Sequence, residues 1–279
     1  MTPASGSVEV ADEEYQRLVA AEKIAEFHAF SVRQLIGYRE RVHGLIHLVG
    51  SVAEFTGGTT AGRLTEVLSL VDQTPSQFLQ DIFCLLLNGG KRDGFFVEFG
   101  SCDGLLLSNT LCLERQFGWR GILAEPSRTW LPKIQANRSC AIETRCVWSV
   151  SGEQVEFAEF SNDEYDTRSG ILATSDDDLQ LANSYKVETV SLTDMLDQHE
   201  APAQIDFMSV DTEGSELEIL QAFDFDKYQI AFLAVEHRTA ESEQAMKALL
   251  ADRGYKQVLR SVSGHDGFYV PHSSPAAVF

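Results

Sequence analysis

One pattern constrains the fold of this 279-residue chain more than any other feature. After Gly94, short apolar runs alternate with helical stretches. This alternation is typical of βαβ units whose strands form a parallel sheet. The apolar runs are Phe95–Phe99, Gly121–Ala124, Ala141–Trp148, Lys186–Val190, Ile205–Val210, Ile230–Val235, Tyr255–Leu259 and Gly267–Val270. The helical stretches are Asp103–Phe117, Arg128–Asn137, Leu192–His199, Ser215–Phe223 and Ala240–Arg253. We therefore predict an α/β domain in residues 91–279, with ligands at the carboxyl ends of its strands.

Residues 1–90 have a different pattern and are predicted to form a helical extension. Apolar residues recur at helical spacing between residues 12 and 48, and a glycine-rich loop follows at residues 55–63. Two shorter helices are predicted at Leu64–Val71 and Gln77–Leu87. The apolar residues of these helices would be exposed to water if nothing covered them. We expect the helices to cover the ligand pocket of the α/β domain or to pair between two copies of the chain.

The charge and the cysteines limit the classes of partner. The 22 basic and 42 acidic side chains give a net charge of −20, which disfavours nucleic acid because such a surface repels phosphate backbones. No segment approaches the roughly 20 apolar residues that span a bilayer, and Met1–Asp12 lacks a signal-peptide pattern. The five cysteines form no Cys-x-x-Cys pair, which favours reduced thiols over a zinc site. We expect a cytoplasmic protein.

The turn after the first apolar run carries a candidate ligand site. The segment FFVEFGSCDG places Glu98 at the strand end and turns between Gly100 and Gly104, where a glycine lets the backbone approach a nucleotide-like ligand. A dinucleotide fingerprint needs G-x-G-x-x-G, but Ser101 and Asp103 fill this space. The carboxylates would repel the two phosphates of NAD and attract the sulfonium and ammonium of S-adenosylmethionine (SAM). The pattern thus favours SAM over NAD, and a tight turn with exposed acids is the interpretation without a ligand.

The second apolar run ends in a further candidate contact for adenosine. The segment GILAEPS places Glu125 at the strand end, where a carboxylate can accept hydrogen bonds from both ribose hydroxyls. Pro126 stops the strand, and Ser127 can cap the next helix. Since NAD and SAM share the ribose, Glu125 indicates adenosine rather than one particular cofactor.

Two later runs bring polar side chains to the same edge of the sheet. The segment IDFMSVDTEGSELEIL places Asp211 at a strand end and Glu213 in the turn, and FLAVEH ends in Glu236 and His237. Adjacent parallel strands would bring these ends within about 5–10 Å of each other. One interpretation makes His237 a general base at neutral pH. Another makes Asp211, Glu236 and His237 ligands of Mg²⁺ or Mn²⁺, and a third gives them only helix-capping and strand-ending roles.

With these motifs in place, the sequence resembles the FkbM family of SAM-dependent methyltransferases. The likeness spans roughly residues 95–237. Its blocks are FVEFGSCDG with SNTLCLERQFGWRG, ILAEPS, VETVSLTDML, IDFMSVDTEGSELEIL and FLAVEH. Ser209 stands where the family often has lysine, as in a subgroup whose glycine turn also runs into S-N-T. The N-terminal helices and Ser161–Ser184, a polar segment that we predict to be a long connection, lie outside the likeness.

The resemblance implies a Rossmann-like, seven-stranded, mostly parallel sheet of the class I methyltransferase type, with one antiparallel strand near its end. It implies that the first turn surrounds the methionine part of SAM, that Glu125 holds the ribose, and that the stretch Arg145–Trp148 lies near the adenine. The cofactor residues assigned in this way are Glu98, Gly100, Ser101, Asp103, Gly104, Glu125, Pro126, Cys146, Val147 and Asp211.

The expected function is SAM-dependent O-methylation. The resemblance implies a small-molecule or glycan acceptor, methylated on a hydroxyl of a sugar, glycolipid or polyketide-type natural product. At the chemical end, Asp211, Glu236 and His237 are the candidate catalytic residues and candidate metal ligands. Two alternatives remain open, namely an NAD-dependent oxidoreductase and a catalytically silent SAM-binding interaction module.

Overall fold

The computed structural model describes residues 66–160, 169–171 and 181–274. The helices predicted within residues 12–48, the loop at residues 55–63 and most of the connection at residues 161–184 lie outside the described residues. Pairing of chains through the N-terminal helices therefore stays a prediction. Within the described ranges, no helix is long and apolar enough to cross a membrane.

The described chain alternates strands and helices along most of its length. Its strands are β1 (Phe95–Phe99), β2 (Arg120–Ala124), β3 (Ala141–Glu143), β4 (Cys146–Trp148), β5 (Gln154–Phe160), β6 (Ser169–Ile171), β7 (Leu181–Ser191), β8 (Gln204–Ile205), β9 (Phe207–Val210), β10 (Gln229–Ile230), β11 (Leu233–Glu236), β12 (Tyr255–Val258) and β13 (Asp266–Pro271). Its helices are α1 (Gln80–Leu87), α2 (Leu111–Phe117), α3 (Leu131–Asn137), α4 (Leu192–Gln198), α5 (Glu216–Ala222) and α6 (Ala240–Asp252).

Seven of these strands form the main sheet, in the order β12–β13–β11–β9–β1–β2–β3. The neighbouring strands are parallel except around β13, which runs antiparallel to both β11 and β12. All five residues of the central strand β1 are buried, as expected for a parallel sheet that is covered on both faces. This topology confirms the predicted Rossmann-like, mostly parallel sheet with one antiparallel strand near its end.

A second sheet departs from the prediction. The run Lys186–Val190 belongs to β7, which pairs antiparallel with β5 in a four-stranded sheet of order β4–β7–β5–β6. The run Ala141–Trp148 divides into β3 of the main sheet and β4 of this second sheet. The predicted connection at residues 161–184 contains β6 and the start of β7. The prediction missed the pairing partner β5 because its alternation of apolar and polar residues is short and is interrupted at Ala158.

The first predicted helix of the domain is shorter than its pattern suggests. The prediction runs from residue 103 to residue 117, but α2 begins at Leu111. Before it, Cys102 and Leu107 have φ angles of 48° and 55°, which are left-handed values that interrupt a helix. The Asp103 carboxylate accepts hydrogen bonds from the backbone N–H groups of Leu105 and Leu106, so this segment forms a compact turn.

The described end of the N-terminal region packs on the main sheet. In α1, Ile82 and Leu85 are fully buried, and the Phe83 ring lies 5.6 Å from that of Phe268 in β13. Gln80 donates a hydrogen bond of 2.8 Å to Asp266 of the same strand. This packing is consistent with the prediction that residues 77–87 form a helix against the α/β domain. The domain boundary at residue 90 stays a prediction.

We expect α1 to contribute strongly to the stability of the α/β domain. Ile82→Ala removes a fully buried side chain and should lower the free energy of unfolding by about 2–5 kcal/mol, measured by urea denaturation. Leu106→Ala is a matched control because its side chain is 40% exposed, and it should change the free energy by less than about 0.5 kcal/mol. Equal small effects in both variants would show that α1 unfolds separately from the sheet.

Candidate active site

A cleft of about 400 Å³ lies at the carboxyl ends of β1, β2 and β9, and we call it the central cleft. It gathers residues that are far apart in sequence, because parallel strands end at the same edge of a sheet. Six of the predicted cofactor residues line it, namely Gly100, Glu125, Pro126, Cys146, Val147 and Asp211.

The shape of the central cleft depends on a close contact at Gly100. Gly100 has a φ of 69°, and a Cβ at this position would lie 2.3 Å from the backbone carbonyl oxygen of Asp211. Any side chain here would therefore both strain the backbone and push β9 away from β1. The glycine in the first turn thus holds the end of β9 beside the end of β1.

Glu125 is held rigidly at the end of β2. Its carboxylate accepts hydrogen bonds from the backbone N–H groups of Cys102 (2.8 Å) and Ser127 (2.9 Å), one on each oxygen. Burial raises the pKa of Glu125 to about 7. A carboxylate has about four lone-pair positions, so each oxygen can accept one more hydrogen bond from a ligand in the central cleft.

The second sheet supplies a wall of the central cleft that the sequence prediction missed. Phe157 of β5 and Gly170 and Ile171 of β6 line the cleft opposite the main sheet residues. Glu159 of β5 fixes this wall to the turn after β2, because its carboxylate accepts hydrogen bonds from Ser127 Oγ (2.7 Å) and Thr129 Oγ1 (2.9 Å). The alternation of apolar and polar residues in QVEFAEF was the available signal for β5.

Glu98, a predicted cofactor contact, lies in a network of hydrogen bonds from the turn before α2. Its carboxylate accepts hydrogen bonds from the Asn109 backbone N–H (2.7 Å), Ser108 Oγ (3.1 Å) and Thr110 Oγ1. Its Oε2 lies 3.8 Å from the buried guanidinium of Arg138. Glu98 is 2% exposed and is not among the residues that line the central cleft. Glu98 therefore holds the turn before α2 in position. This turn then keeps Gly100 at the cleft.

Ser101, Asp103 and Gly104 also lie beside the central cleft rather than in its lining. Gly104 has a φ of 78°, and a Cβ there would meet the Arg138 side chain at 2.6 Å. Ser101 is buried, and its Oγ has no hydrogen-bond partner among the described residues. These residues shape the first turn. Their contact with the cofactor stays a prediction.

Three carboxylates meet at the end of β9 and β11. Asp211, Glu216 and Glu236 each place an oxygen within 4.8 Å of the others, and we call this group the carboxylate cluster. The predicted metal set was Asp211, Glu236 and His237. The structure brings together the first two and adds Glu216, because Nε2 of His237 is instead 3.0 Å from the hydroxyl of Tyr269.

The carboxylate cluster concentrates negative charge in a partly buried place. Burial and then the neighbouring Glu236 raise the pKa of Asp211 well above its ordinary value. Burial and then Glu213 raise the pKa of Glu236 to about 8, and one of its oxygens is buried without a hydrogen-bond partner in the described part of the chain. Asp266 of β13 adds to this repulsion, and burial raises its own pKa to about 7. The arrangement favours protons or a bound cation.

A larger cavity of about 860 Å³ adjoins the carboxylate cluster, and we call it the second cavity. It is lined from the α5 side by Glu216 and from the end of β11 by Glu236 and His237. Burial lowers the pKa of His237, which keeps its ring neutral at neutral pH. Since Asp211 lines the central cleft while Glu216 and Glu236 line the second cavity, the carboxylate cluster separates the two spaces.

The sheet order, the glycine turn after β1 and the acidic residue after β2 define a protein of the class I methyltransferase type. The sequence profile of the methyltransferase FkbM domain matches residues 98–256, which is more than half of the chain. The chain therefore belongs to the FkbM methyltransferase family, as the sequence predicts. No significant sequence match was found among curated proteins.

Solved structures of several methyltransferases resemble the chain at low sequence identity. A precorrin-6Y C5,15-methyltransferase from Geobacter metallireducens is 11% identical, with 68% of this chain and 85% of that chain covered and a TM-score of 0.38. The methyltransferase FkbM from Methylobacillus flagellatus is 14% identical, with coverages of 79% and 57% and a TM-score of 0.38. A SAM-dependent methyltransferase from Aquifex aeolicus is 13% identical, with coverages of 74% and 96% and a TM-score of 0.36.

The raised pKa of Glu236 predicts a pH-dependent stability. The folded state holds this proton more tightly than the unfolded chain, so the stabilisation is complete below about pH 4.5 and is lost as the pH rises through about 8. Glu236→Gln should therefore raise the free energy of unfolding by about 1–3 kcal/mol above pH 8, with little effect near pH 4.5.

The control is Glu114→Gln. Burial alone would raise the pKa of Glu114, but hydrogen bonds from Ser139 and Arg138 and the charge of Arg138 outweigh burial and lower it. This variant should destabilise the protein above the ordinary pKa of glutamate. Urea denaturation between about pH 4.5 and 9 measures both variants. Parallel profiles for Glu236→Gln and the unaltered protein would contradict the repulsion that we assign to the carboxylate cluster.

Proposed function

We propose that the protein is a SAM-dependent O-methyltransferase that acts on a hydroxyl of a sugar, glycolipid or polyketide-type natural product. One observation carries the proposal: the central cleft and the second cavity meet at the carboxylate cluster. A methyl donor in the central cleft and an acceptor in the second cavity can then meet at this negatively charged edge. Family membership supports methyl transfer, while the oxygen acceptor is our inference.

The lining of the central cleft supports the binding of an adenosine. Glu125 has lone pairs left for two ribose hydroxyls, and its position is fixed by two backbone N–H groups. Val147 and Phe157 offer apolar surfaces for an adenine ring, and both are at least 96% buried. Cys146 and Pro126 complete this side of the cleft. The cofactor supplies an electrophilic methyl group when bound.

Charge supports SAM over NAD in this cleft. Asp211 lies in the central cleft, and its neighbour Glu236 further disfavours a second negative charge there. A sulfonium and an ammonium would offset this repulsion, whereas a pyrophosphate would add to it. The same uncompensated carboxylates favour a working donor site over a silent interaction module.

Transfer to a hydroxyl requires an aligned oxygen, exclusion of water and removal of one proton. In our proposal the second cavity holds the acceptor, and His237 and the carboxylates of Glu236 and Asp211 are the candidate proton acceptors. If a carboxylate accepts the proton, the reaction removes both the sulfonium charge and the carboxylate charge. Burial of this edge then favours the products, because a low dielectric disfavours separated charge.

The carboxylate cluster also fits a divalent metal ion. Its donors are all oxygens, which suits Mg²⁺ or Mn²⁺, and one Glu236 oxygen is buried with no hydrogen-bond partner among the residues that the structure describes. Glu216 fits less freely, because its Oε1 already accepts hydrogen bonds from the backbone of Thr212 (2.9 Å) and Gly214 (3.0 Å). A metal here would lower the pKa of the acceptor hydroxyl. We therefore keep metal assistance as the alternative to unassisted proton removal.

The cofactor proposal predicts a selective loss of affinity in Glu125→Gln. The amide keeps the size of the side chain but loses one of its acceptor oxygens, so SAM and S-adenosylhomocysteine should bind about 1–3 kcal/mol more weakly by calorimetry. The control is Glu143→Gln, because Glu143 is a buried acid at the end of the neighbouring β3 and pairs with Arg145 outside the cleft lining. Tighter binding of NAD than of SAM to the unaltered protein would refute the proposal.

The chemical step can be tested with a chelator and one substitution. We expect turnover of hydroxylated acceptors, read as release of S-adenosylhomocysteine, to survive EDTA. His237→Ala should lower kcat by about 10²-fold or more while the affinity for SAM changes little, because His237 lines the second cavity and not the central cleft. Loss of turnover in EDTA, restored by Mg²⁺ or Mn²⁺, would instead establish the metal-assisted route.

A further inference from the structure

A hydrogen-bonded pair on the main sheet remains unexplained by the proposed function. Nε2 of His237 and the hydroxyl oxygen of Tyr269 are 3.0 Å apart. Tyr269 belongs to β13 and is 1% exposed, and its ring packs in the core of the domain. His237 lines the second cavity, so the pair connects the core directly to the proposed acceptor site.

The sequence builds this pair through a glycine. In the antiparallel pairing of β11 with β13, Val235 lies opposite Gly267 and Leu233 opposite Tyr269. His237 therefore shares a sheet face with Gly267 and Tyr269, since side chains alternate along a strand. A Cβ at Gly267 would lie 2.3 Å from Nε2 of His237 and 2.7 Å from the Tyr269 hydroxyl. Only a residue without a side chain leaves the space in which the two groups meet.

The direction of the hydrogen bond follows from counting donors and acceptors. Burial raises the pKa of Tyr269, so its hydroxyl keeps its proton. Among the described residues, the hydrogen-bond partner of this hydroxyl is Nε2 of His237. If the hydroxyl donates to Nε2, the Nδ1–H group of the neutral ring is free to interact with the backbone of Glu236. In the reverse direction both the tyrosine proton and a bare Nδ1 are left unsatisfied, which is costlier at a buried site.

We propose that Tyr269 is a positioning residue that holds His237 in the Nδ1–H tautomer, so that neither ring nitrogen offers a free lone pair to the proton of the acceptor. The catalytic part of this inference rests on the proposed function. His237 then forms part of the wall of the second cavity, and the hydroxyl proton passes to a carboxylate of the cluster. This assignment selects between the proton acceptors left open above.

Charged groups from three elements face the pair. Glu243 of α6 and Glu216 of α5 raise the pKa of His237, as does the hydrogen bond to the backbone of Glu236, while burial lowers it more strongly. Glu243 also acts on Tyr269, where Arg260 opposes it. Measurements well above the ordinary histidine pKa of about 6.5 keep the ring neutral, so the tautomer can be determined independently of these charges.

The tautomer can be measured by ¹⁵N NMR on the full-length protein labelled at histidine. The chain has seven histidines, and the spectrum of His237→Asn identifies the resonances of His237. We expect a pyrrole-type Nδ1 and a pyridine-type Nε2, and a shift towards a mixture of tautomers in Tyr269→Phe. The matched control is Tyr255→Phe in the neighbouring β12, whose buried hydroxyl accepts a hydrogen bond from the Ile230 backbone and not from His237.

A pyridine-type Nδ1 in the unaltered protein would overturn the proposal, whether or not the protein methylates hydroxyls. If Tyr269→Phe does not fold, Gly267→Ala tests the same contact, because its Cβ must displace the His237 ring. The spectrum of the unaltered protein decides the tautomer in either case.

Kinetics test whether His237 acts as the base once an acceptor is known. The amide nitrogen of His237→Asn can replace Nδ1–H as a donor but cannot take up a proton. We expect its kcat to stay within about tenfold of the unaltered protein, while His237→Ala loses about 10²-fold or more. Equal losses in both variants would assign His237 the role of base and refute the proposal. Absence of methyl transfer with every acceptor would count against the proposed function, while leaving the tautomer result intact.

Discussion

The close approach of two backbones at Gly100 determines where the rest of the site can lie. The carbonyl oxygen of Asp211 occupies the space beside Gly100 that a side chain would need. Because nothing separates these two strand ends, the residues that follow β9 reach the same cleft as the residues that follow β1 and β2. Without this contact, the carboxylate of Glu125 and the carboxylates beyond Asp211 would belong to separate surfaces. The positions of the chemical groups in the site therefore depend on this packing of backbone against backbone.

Charge is the second organising property, and it acts locally rather than through the net charge of −20. The acids of the carboxylate cluster come from different turns. Beyond the effect of burial, Glu236 raises the pKa of Asp211, and Glu213 raises the pKa of Glu236. Glu98 differs in its surroundings, because this buried carboxylate accepts hydrogen bonds from the turn before α2 and lies near Arg138. The protein therefore satisfies one acid completely to build the turn and leaves others available at the edge where a cation is expected.

The sequence predicted the parts of the site that depend on local pattern. The ends of β1, β2, β9 and β11 could be located because buried runs followed by glycine or proline turns have clear signatures, and Gly100, Glu125, Asp211 and Glu236 follow from them. Glu216 was missed because its approach to Asp211 depends on the path of the turn into α5. The hydrogen-bond partners of Glu98 were missed because they lie in a segment whose pattern indicated helix. The contact of His237 with Tyr269 depends on antiparallel register, which no local pattern specifies.

The second sheet has a consequence for how this family can diversify. Its strands pair among themselves, and side-chain hydrogen bonds of Glu159 join it to the turn after β2. Insertions or substitutions in β5 and β6 can therefore change one wall of the central cleft without shifting the register of the seven-stranded sheet. Sequence changes can therefore alter this wall separately, while the main sheet preserves the geometry of the other wall of the central cleft. Divergence among related chains should thus be tolerated most easily where the cleft is formed by the smaller sheet.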